Sequence, residues 1–273
     1  MNKINRKETN RLANRLKSRG YSRSTELEYQ RKLLRIIKTI KKDFANAVDE
    51  ALKNPDYIHD SAIDDLKRAL ERLTSQYQSL AFEVFANRYA KEFVEKIEKF
   101  SSKPFAPLAL DVFSAPKLKA IIRNSVEANV QLIKSLAQDE CNALSNIIYS
   151  NVQSGYRSSQ IIELIKAHGV GDRRAKVIAR DQTSKVHGAI ARERMTSAGF
   201  EYFRWATSKD ERVRPSHREV ANRKTKYGIG VYRFDDPPVV DGVKALPSQP
   251  IMCRCVAIPV DEEDVEAFQS RAR

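Results

Sequence analysis

The sequence has few cysteines, a single tryptophan and no long apolar run. Its 273 residues include three cysteines, too few for a complete disulfide framework, which is typical of a reducing compartment. No apolar run approaches the roughly 20 residues that span a bilayer, so the sequence predicts neither a transmembrane helix nor a membrane partner. Residues 1–6 are charged and lead into no apolar segment. We therefore expect no secretory signal and a protein that begins in a cytoplasm.

The sequence also lacks the common catalytic patterns. It contains no HExxH, Walker A or GxSxG motif, and no recognisable Ser-His-Asp or Cys-His arrangement. A nucleophile or general base needs a partner within hydrogen-bond reach, and no pattern indicates one. We therefore expect no enzyme activity and no cofactor.

Positive charge is concentrated at the start of the chain. The formal net charge is +14, and residues 1–42 alone carry seven lysines and seven arginines against three glutamates, a net charge of +11. Such a segment gains free energy by releasing counterions from a polyphosphate, whatever the base sequence. We predict that this basic arm contacts double-stranded DNA or an acidic protein surface, and the alternative is a solvated tail. The side chains assigned to DNA are Arg6, Lys7, Arg11, Arg15, Lys17, Arg19, Arg23, Arg31, Lys32, Arg35, Lys38, Lys41 and Lys42.

Apolar residues recur at intervals of three or four between about residues 25 and 150, which predicts long helices. Breaks are expected at residues 54–56 and 101–104. Between them, a seam like that of a coiled coil runs over three heptads. We favour an intramolecular helical hairpin over a self-associating coiled coil for this seam. Its members are Ile63, Leu66, Leu70, Leu73, Tyr77, Leu80 and Val84.

The second half of the chain mixes helical and extended patterns. One helix is expected to end at His168-Gly169. A second is expected to start with Asp172 as its cap and to end at Gly199. A strand is expected over residues 200–206. Short extended pieces follow at residues 231–234 and 253–258, and a last helix at residues 262–269. The predicted fold class is α+β, with an elongated, mainly helical N-terminal half and a small α+β C-terminal domain. The predicted segments are 1–42 (arm), 43–154 (long helices), 155–260 (α+β domain) and 261–273 (C-terminal helix or tail).

Residues 205–217 and 253–255 contain most of the chemically versatile side chains. On a strand, Cys253 and Cys255 would project to the same side, where His217 and Asp210 could complete a zinc site. A one-residue spacing is unlike the usual zinc knuckle, and cysteine often packs as a small apolar residue, so we expect no metal and treat zinc as the alternative. We interpret the arginines as ion-pair partners of Asp210, and Trp205 as core. His59, His168 and His187 are assigned no function. The residues assigned to a structural motif are Arg180, Trp205, Thr207, Asp210, Arg212, Arg214, His217, Cys253, Arg254 and Cys255.

These residues belong to an ordered series of short matches between about residues 155 and 259. The series comprises Arg174-Ala175, residues 178–183, Ala198-Gly199, Tyr202, Arg204-Trp205, Thr207, residues 210–217, residues 233–238 and residues 253–255. It resembles the phage Mu protein F class of head morphogenesis or minor capsid proteins of tailed phages. Asn222 departs from the glycine usual in that class, and residues 247–250 replace a Pro-Gly turn.

The resemblance implies a minor capsid protein in the capsid interior of the virion, present in the host cytoplasm during assembly. The implied partners are the portal protein, capsid or scaffold proteins, and packaged double-stranded DNA bound without sequence preference. The alternative is a metal-dependent hydrolase or nuclease that uses Asp210, His217, Cys253 and Cys255.

Overall fold

The computed structural model describes residues 6–19, 21–53, 60–108 and 116–272. A mostly helical N-terminal part is followed by a small α+β region, which confirms the predicted fold class. Among the described residues, no helix is both long enough and apolar enough to cross a membrane. The helices are α1 (Arg6–Arg19), α2 (Arg23–Ala51), α3 (Asp60–Gln76), α4 (Leu80–Ser102), α5 (Pro116–Gln153), α6 (Ser158–Ala167), α7 (Val170–Ser197), α8 (Pro215–Asn222) and α9 (Glu262–Ala272).

The strands are short and lie in the C-terminal region. They are β1 (Tyr202–Ala206), β2 (Lys224–Thr225), β3 (Gly228–Ile229), β4 (Val231–Arg233), β5 (Val239–Val240), β6 (Val243–Lys244) and β7 (Val256–Val260). The central sheet has the order β4-β1-β7, and β1 pairs antiparallel with both neighbours. Two hairpins, β2-β3 and β5-β6, accompany it. The elements predicted after Gly199 are therefore present, with bounds shifted by a few residues.

The chain forms two compact units, each assembled from separate segments. The first unit consists of Met1–Glu26, Phe93–Ser125 and Arg180–Arg273, and the second of Leu27–Glu92 and Val126–Ala179. The four-segment division made from the sequence stays a prediction. The helix break predicted at residues 54–56 lies outside the described residues.

The second unit buries the apolar face of α2. Every third or fourth residue of this helix is fully buried, among them Leu33, Ile37 and Phe44. Polar contacts add specificity to the packing. Tyr77 Oη donates to Asp43 Oδ2 (2.7 Å), and Lys41 Nζ donates to Asp172 Oδ2 (2.6 Å). Asp172 thus lies in the first turn of α7 and binds a lysine, rather than capping that helix as the sequence had predicted.

The predicted heptad seam is wrong beyond Tyr77. Helix α3 ends at Gln76 and α4 starts at Leu80, so a turn interrupts the periodic pattern. Ser79 Oγ accepts the backbone N–H of Phe82 (3.2 Å) and so caps the start of α4. The apolar residues of α4 therefore do not continue the face formed by those of α3. Leu80 and Val84 consequently remain 76% and 64% exposed. The choice between a hairpin and a self-associating coiled coil stays a prediction.

In the first unit, α1 is part of the core. Leu12 is fully buried and Leu16 nearly so, in one cluster with Phe203, Trp205 and Ile258. The helix packs against β7, and Thr9 Oγ1 donates to Asp261 Oδ2 (3.0 Å). The solvated-tail alternative therefore does not hold for residues 6–19.

The burial of Leu12 generates a stability prediction. Leu12→Ala should lower the free energy of unfolding by about 2–5 kcal/mol, because the truncation leaves a cavity in the core. Asn14→Ala, on the exposed face of the same helix, should change it by less than about 0.5 kcal/mol. Chemical denaturation of both variants is the measurement. Equal stability of Leu12→Ala and wild type would show that α1 does not contribute to the core.

Candidate functional site

The site forms where α8 meets the loop that precedes β7. Pro215 occupies the first helical position of α8, where its missing N–H costs nothing, and His217 follows in the first turn, buried. Cys253 and Cys255 were predicted to lie on a strand, but β7 begins only at Val256. The cysteines lie in the loop before it, after a turn in which Met252 has a φ of 56°.

Polar side chains of α7 and a second loop hold the cysteine loop and explain why it is not a strand. Asp181 Oδ1 accepts the backbone N–H of Met252 (2.8 Å), and Ser184 Oγ donates to the carbonyl oxygen of Cys253. Ser248 Oγ donates to the carbonyl oxygen of Cys255 (2.8 Å). These bonds give the backbone groups of Met252, Cys253 and Cys255 partners other than a neighbouring strand.

Helix α7 can approach this loop because of a glycine. A Cβ atom at Gly188 would lie 2.6 Å from Cβ of Ser248, closer than real Cβ contacts allow. Sequence reasoning missed the roles of Asp181, Ser184, Gly188 and Ser248. The only available signal was that Asp181 lies within one of the matched segments.

The imidazole of His217 meets both cysteine sulfurs. Its Nδ1 atom lies 3.6 Å from Sγ of Cys253 and 3.5 Å from Sγ of Cys255. The three atoms all lie within 4.8 Å of one another, and all three residues are buried. The indole of Trp205 packs edge-on against the imidazole, with ring centroids 5.6 Å apart. The sequence had grouped these four residues, and the structure brings them into contact.

The two thiols differ in acidity. Hydrogen bonds from the Cys255 thiol and from the backbone N–H groups of Cys255 and Ser248 lower the pKa of Cys253. The pKa of Cys255 is raised, because its thiol proton is engaged with Cys253 and because it is buried. Cys253 is therefore the more acidic of the two thiols.

The Asp210 carboxylate is engaged by Arg254. Arg254 Nη2 lies 2.6 Å from Asp210 Oδ1 and Nη1 lies 2.5 Å from Oδ2, a two-pronged ion pair. The backbone N–H of Arg212 donates to the same Oδ1 (3.1 Å). These bonds lower the pKa of Asp210, with the Arg254 hydrogen bond as the largest cause. The geometry favours a carboxylate that fastens the turn over one that is free to act as a base.

The remaining motif residues surround a small cleft next to the cluster. Its volume is about 220 Å³, and Arg180, Arg212, Arg214 and Arg254 line it together with His217 and both cysteines. Arg214 Nη2 donates to the carbonyl oxygen of Ile251 (2.6 Å). Thr207 follows β1 and makes no side-chain hydrogen bond within the part of the chain that the structure describes.

The other described histidines, His168 and His187, do not join the cluster. His187 is buried in α7, and burial lowers its pKa to about 4. His168 follows α6, and burial also lowers its pKa. His59 lies outside the described residues.

The Asp210–Arg254 pair leads to a pH prediction. Because the folded-state pKa of Asp210 is lowered, its stabilising effect is present above the ordinary carboxyl pKa of about 4 and is lost as the pH falls through the lowered value. Asp210→Asn should therefore melt below wild type at pH 7, and the difference should shrink below about pH 4. Thermal melts across pH 7 to 2 provide the measurement.

Glu211→Gln is the matched control, since this exposed neighbour makes no side-chain hydrogen bond in the described ranges. It should melt like wild type throughout. A deficit of Asp210→Asn that stays constant down to pH 2 would contradict the assigned ion pair.

Part of the chain is similar to known proteins. Residues 142–258, which include His217, Cys253 and Cys255, match the model of the family described as Phage Mu protein F like protein. An uncharacterized protein of Haemophilus influenzae (strain ATCC 51907 / DSM 11121 / KW20 / Rd) is 27% identical over 263 residues. The matched region covers 91% of this chain and 56% of that relative, so the chain spans little more than half of the relative's length. No solved structure matches. The resemblance of residues 155–259 to the Mu protein F class is thus confirmed, and residues 142–258 of this chain are similar to Phage Mu protein F like proteins.

Proposed function

We propose that this protein acts in phage head morphogenesis as a minor capsid component. The observation that carries the proposal is the family match over residues 142–258. The engaged state of Asp210 argues against the hydrolase alternative, which needs this carboxylate as a free base or ligand. The role we propose is assembly within the head and not turnover of a substrate.

Its proposed partners are the portal protein and the capsid or scaffold proteins, within the capsid interior. Support comes from the class that the Mu F-like region resembles and from long helices that offer extended surfaces. Leu80 and Val84 at the start of α4 are large apolar side chains left exposed, a property common at protein contacts.

We further propose that basic side chains contact packaged DNA without sequence preference, and the structure narrows the candidates. Among the described residues, several assigned cations already have a carboxylate partner: Arg6 pairs with Asp264, Arg23 with Glu26, Lys32 with Glu92, and Lys41 with Asp172. Each of these loses part of its attraction for phosphate. The strongest candidates are exposed cations with no ion pair among the described residues.

Such cations form a stripe along one face of α2. Arg31, Arg35, Lys38 and Lys42 are exposed and recur at intervals of four, three and four residues. This spacing places them on the face opposite the buried apolar residues of the same helix. They span about 16 Å, given a rise of about 1.5 Å per residue. On α1, the exposed cations without a carboxylate partner in the described ranges are Lys7, Arg11 and Lys17.

The stripe can be tested without damaging the fold. Deletion of residues 1–42 is unsuitable, because it removes buried residues of α1 and α2. Replacing Arg35, Lys38 and Lys42 by Gln should weaken binding to random duplex DNA at low salt. The plot of log K against log salt has a negative slope, and each lost phosphate contact reduces its magnitude by about 0.9. The magnitude of the slope should therefore fall by up to about 2.7 in the triple variant.

The matched control carries Gln at Lys67, Arg68 and Arg72, three exposed cations on α3, and loses the same formal charge. It should keep most of the affinity and the slope. Equal losses in both variants would show that the net charge matters and that the α2 stripe does not. Fluorescence anisotropy at several salt concentrations measures both quantities.

Assembly is tested by expressing the protein together with portal, scaffold and capsid proteins of a tailed phage. We expect the protein to copurify with portal oligomers and procapsids, because a minor capsid component is incorporated before the head matures. The triple variant of α2 should enter heads normally, since its fold is intact. Heads that form without the protein while it stays free in the lysate, or measurable turnover of nucleic acid, peptide or nucleotide, would contradict the proposed function.

A further inference from the structure

Three metal-ligating atoms converge inside the first unit. Cys253, Cys255 and Trp205 are all at least 96% buried, in one core cluster with residues of β1 and β7. Nδ1 of His217 points at both sulfurs, and these three ligands form the group of metal-ligating side chains found among the described residues. Cys141, the remaining cysteine, is buried in the second unit.

The separations agree with a shared metal ion. A tetrahedral zinc ion with Zn–S bonds of about 2.3 Å and a Zn–N bond of about 2.0–2.1 Å holds each sulfur about 3.5–3.6 Å from the nitrogen. The observed distances from His217 Nδ1 are 3.5 and 3.6 Å.

Hydrogen bonds alone satisfy these three atoms less completely than a bound cation does. Nδ1 of a neutral imidazole is either one donor or one acceptor, so it can bond only one of the two sulfurs at a time. Both sulfurs lie at nearly the same distance from Nδ1, so one of the two nitrogen–sulfur contacts has no shared proton. A cation on the common side of all three atoms satisfies each of them.

The far side of the imidazole has the surroundings of a metal-bound histidine. Nε2 of His217 lies 3.7 Å from Oδ2 of Asp241 and is buried, with no hydrogen-bond partner among the described residues. Histidines that bind zinc commonly direct the other ring nitrogen at a carboxylate, which fixes the tautomer. Arg214 Nη1, 3.5 Å from the same oxygen, steadies that carboxylate.

A tight turn positions Asp241 for this contact. Asp241 and Gly242 connect β5 to β6 and have φ values of 51° and 85°, as a two-residue type I′ turn requires. On the sulfur side, the backbone N–H of Cys255 points at Sγ of Cys253 (3.4 Å), a contact that favours a thiolate ligand.

We propose that Nδ1 of His217 and the sulfurs of Cys253 and Cys255 bind one Zn²⁺ ion, which ties α8 to the loop before β7. The sequence grouped His217 with both cysteines but favoured packing, because the one-residue spacing is unlike a zinc knuckle and cysteine often packs as a small apolar residue. The structure places the His217 nitrogen 3.6 and 3.5 Å from the two sulfurs, the separations that a shared metal ion would give. The ion stabilises the junction of helix and loop.

The test uses the full-length protein purified without chelators. Elemental analysis should find about one zinc per chain. Cobalt(II) added to the stripped protein should give the strong near-ultraviolet absorption of thiolate-to-cobalt charge transfer. Cys253→Ser, Cys255→Ser and His217→Gln should each lose the metal, while Cys141→Ser, which changes a buried cysteine of the second unit, should retain it.

Asp241→Asn provides a variant that leaves all three ligands in place. It should weaken zinc affinity about 10–100-fold, measured by competition with a chromogenic chelator, because removal of the carboxylate behind a ligating histidine has effects of this size. Asp236→Asn, an exposed aspartate of the preceding loop that pairs with Lys244, should leave the affinity unchanged.

A wild-type protein that contains no zinc, binds none in the competition assay and gives no charge-transfer absorption with cobalt would overturn the proposal, even if the ligand variants fail to fold. Metal retained by both Cys→Ser variants at the site would also overturn it. These results would leave the proposed role in head assembly untouched, since that role rests on the family match and the head-incorporation test.

Discussion

The arrangement of the C-terminal region depends on how α7 holds the loop before β7. Asp181 and Ser184 lie about one helical turn apart on α7. Asp181 accepts the backbone N–H of Met252, and Ser184 donates to the carbonyl oxygen of Cys253. Ser248 donates to the carbonyl oxygen of Cys255. Buried backbone groups without partners are costly, so these side chains let an irregular segment pass through the core. The two thiols owe their common direction to this loop and not to strand alternation.

The loop in turn determines what surrounds His217. Pro215 starts α8 so that the imidazole enters the core beside Trp205, and the Asp241-Gly242 turn brings a carboxylate to its other side. Arg254, between the two cysteines in the sequence, turns outward and engages Asp210. Alternate residues of one short segment therefore serve two purposes: the thiols face the histidine, and the arginine fastens the turn that leads into α8.

The positive charge of the N-terminal segment is divided between structure and surface. Some of its cations pair with acidic residues of distant segments, as Arg6 does with Asp264 and Lys41 with Asp172, and these pairs contribute to the folded units. Others, on the solvent face of α2, have no carboxylate partner in the described part of the chain. The same helices thus bury apolar faces and present a cationic surface to the solvent, which is compatible with both a structural role and an affinity for polyphosphate.

The sequence by itself determined the helix-rich N-terminal part, the small α+β region and the group of residues around His217, because periodicity, turn residues and the ordered Mu F-like matches are local signals. The heptad pattern predicted one continuous seam, which is wrong beyond Tyr77 because a serine cap starts a new helix there. The sequence also predicted a strand at the two cysteines, whereas β7 begins after them. Only the tertiary structure decided that α1 belongs to a core, that Asp181 and Ser184 shape the cysteine loop, and that Asp241 faces His217. An Asp-Gly pair is a common sequence signal of a tight turn, but the residue that Asp241 meets in space, His217, belongs to a different segment. Contacts of this kind join residues far apart in the chain, and no local pattern specifies which distant backbone group or ring a side chain will meet.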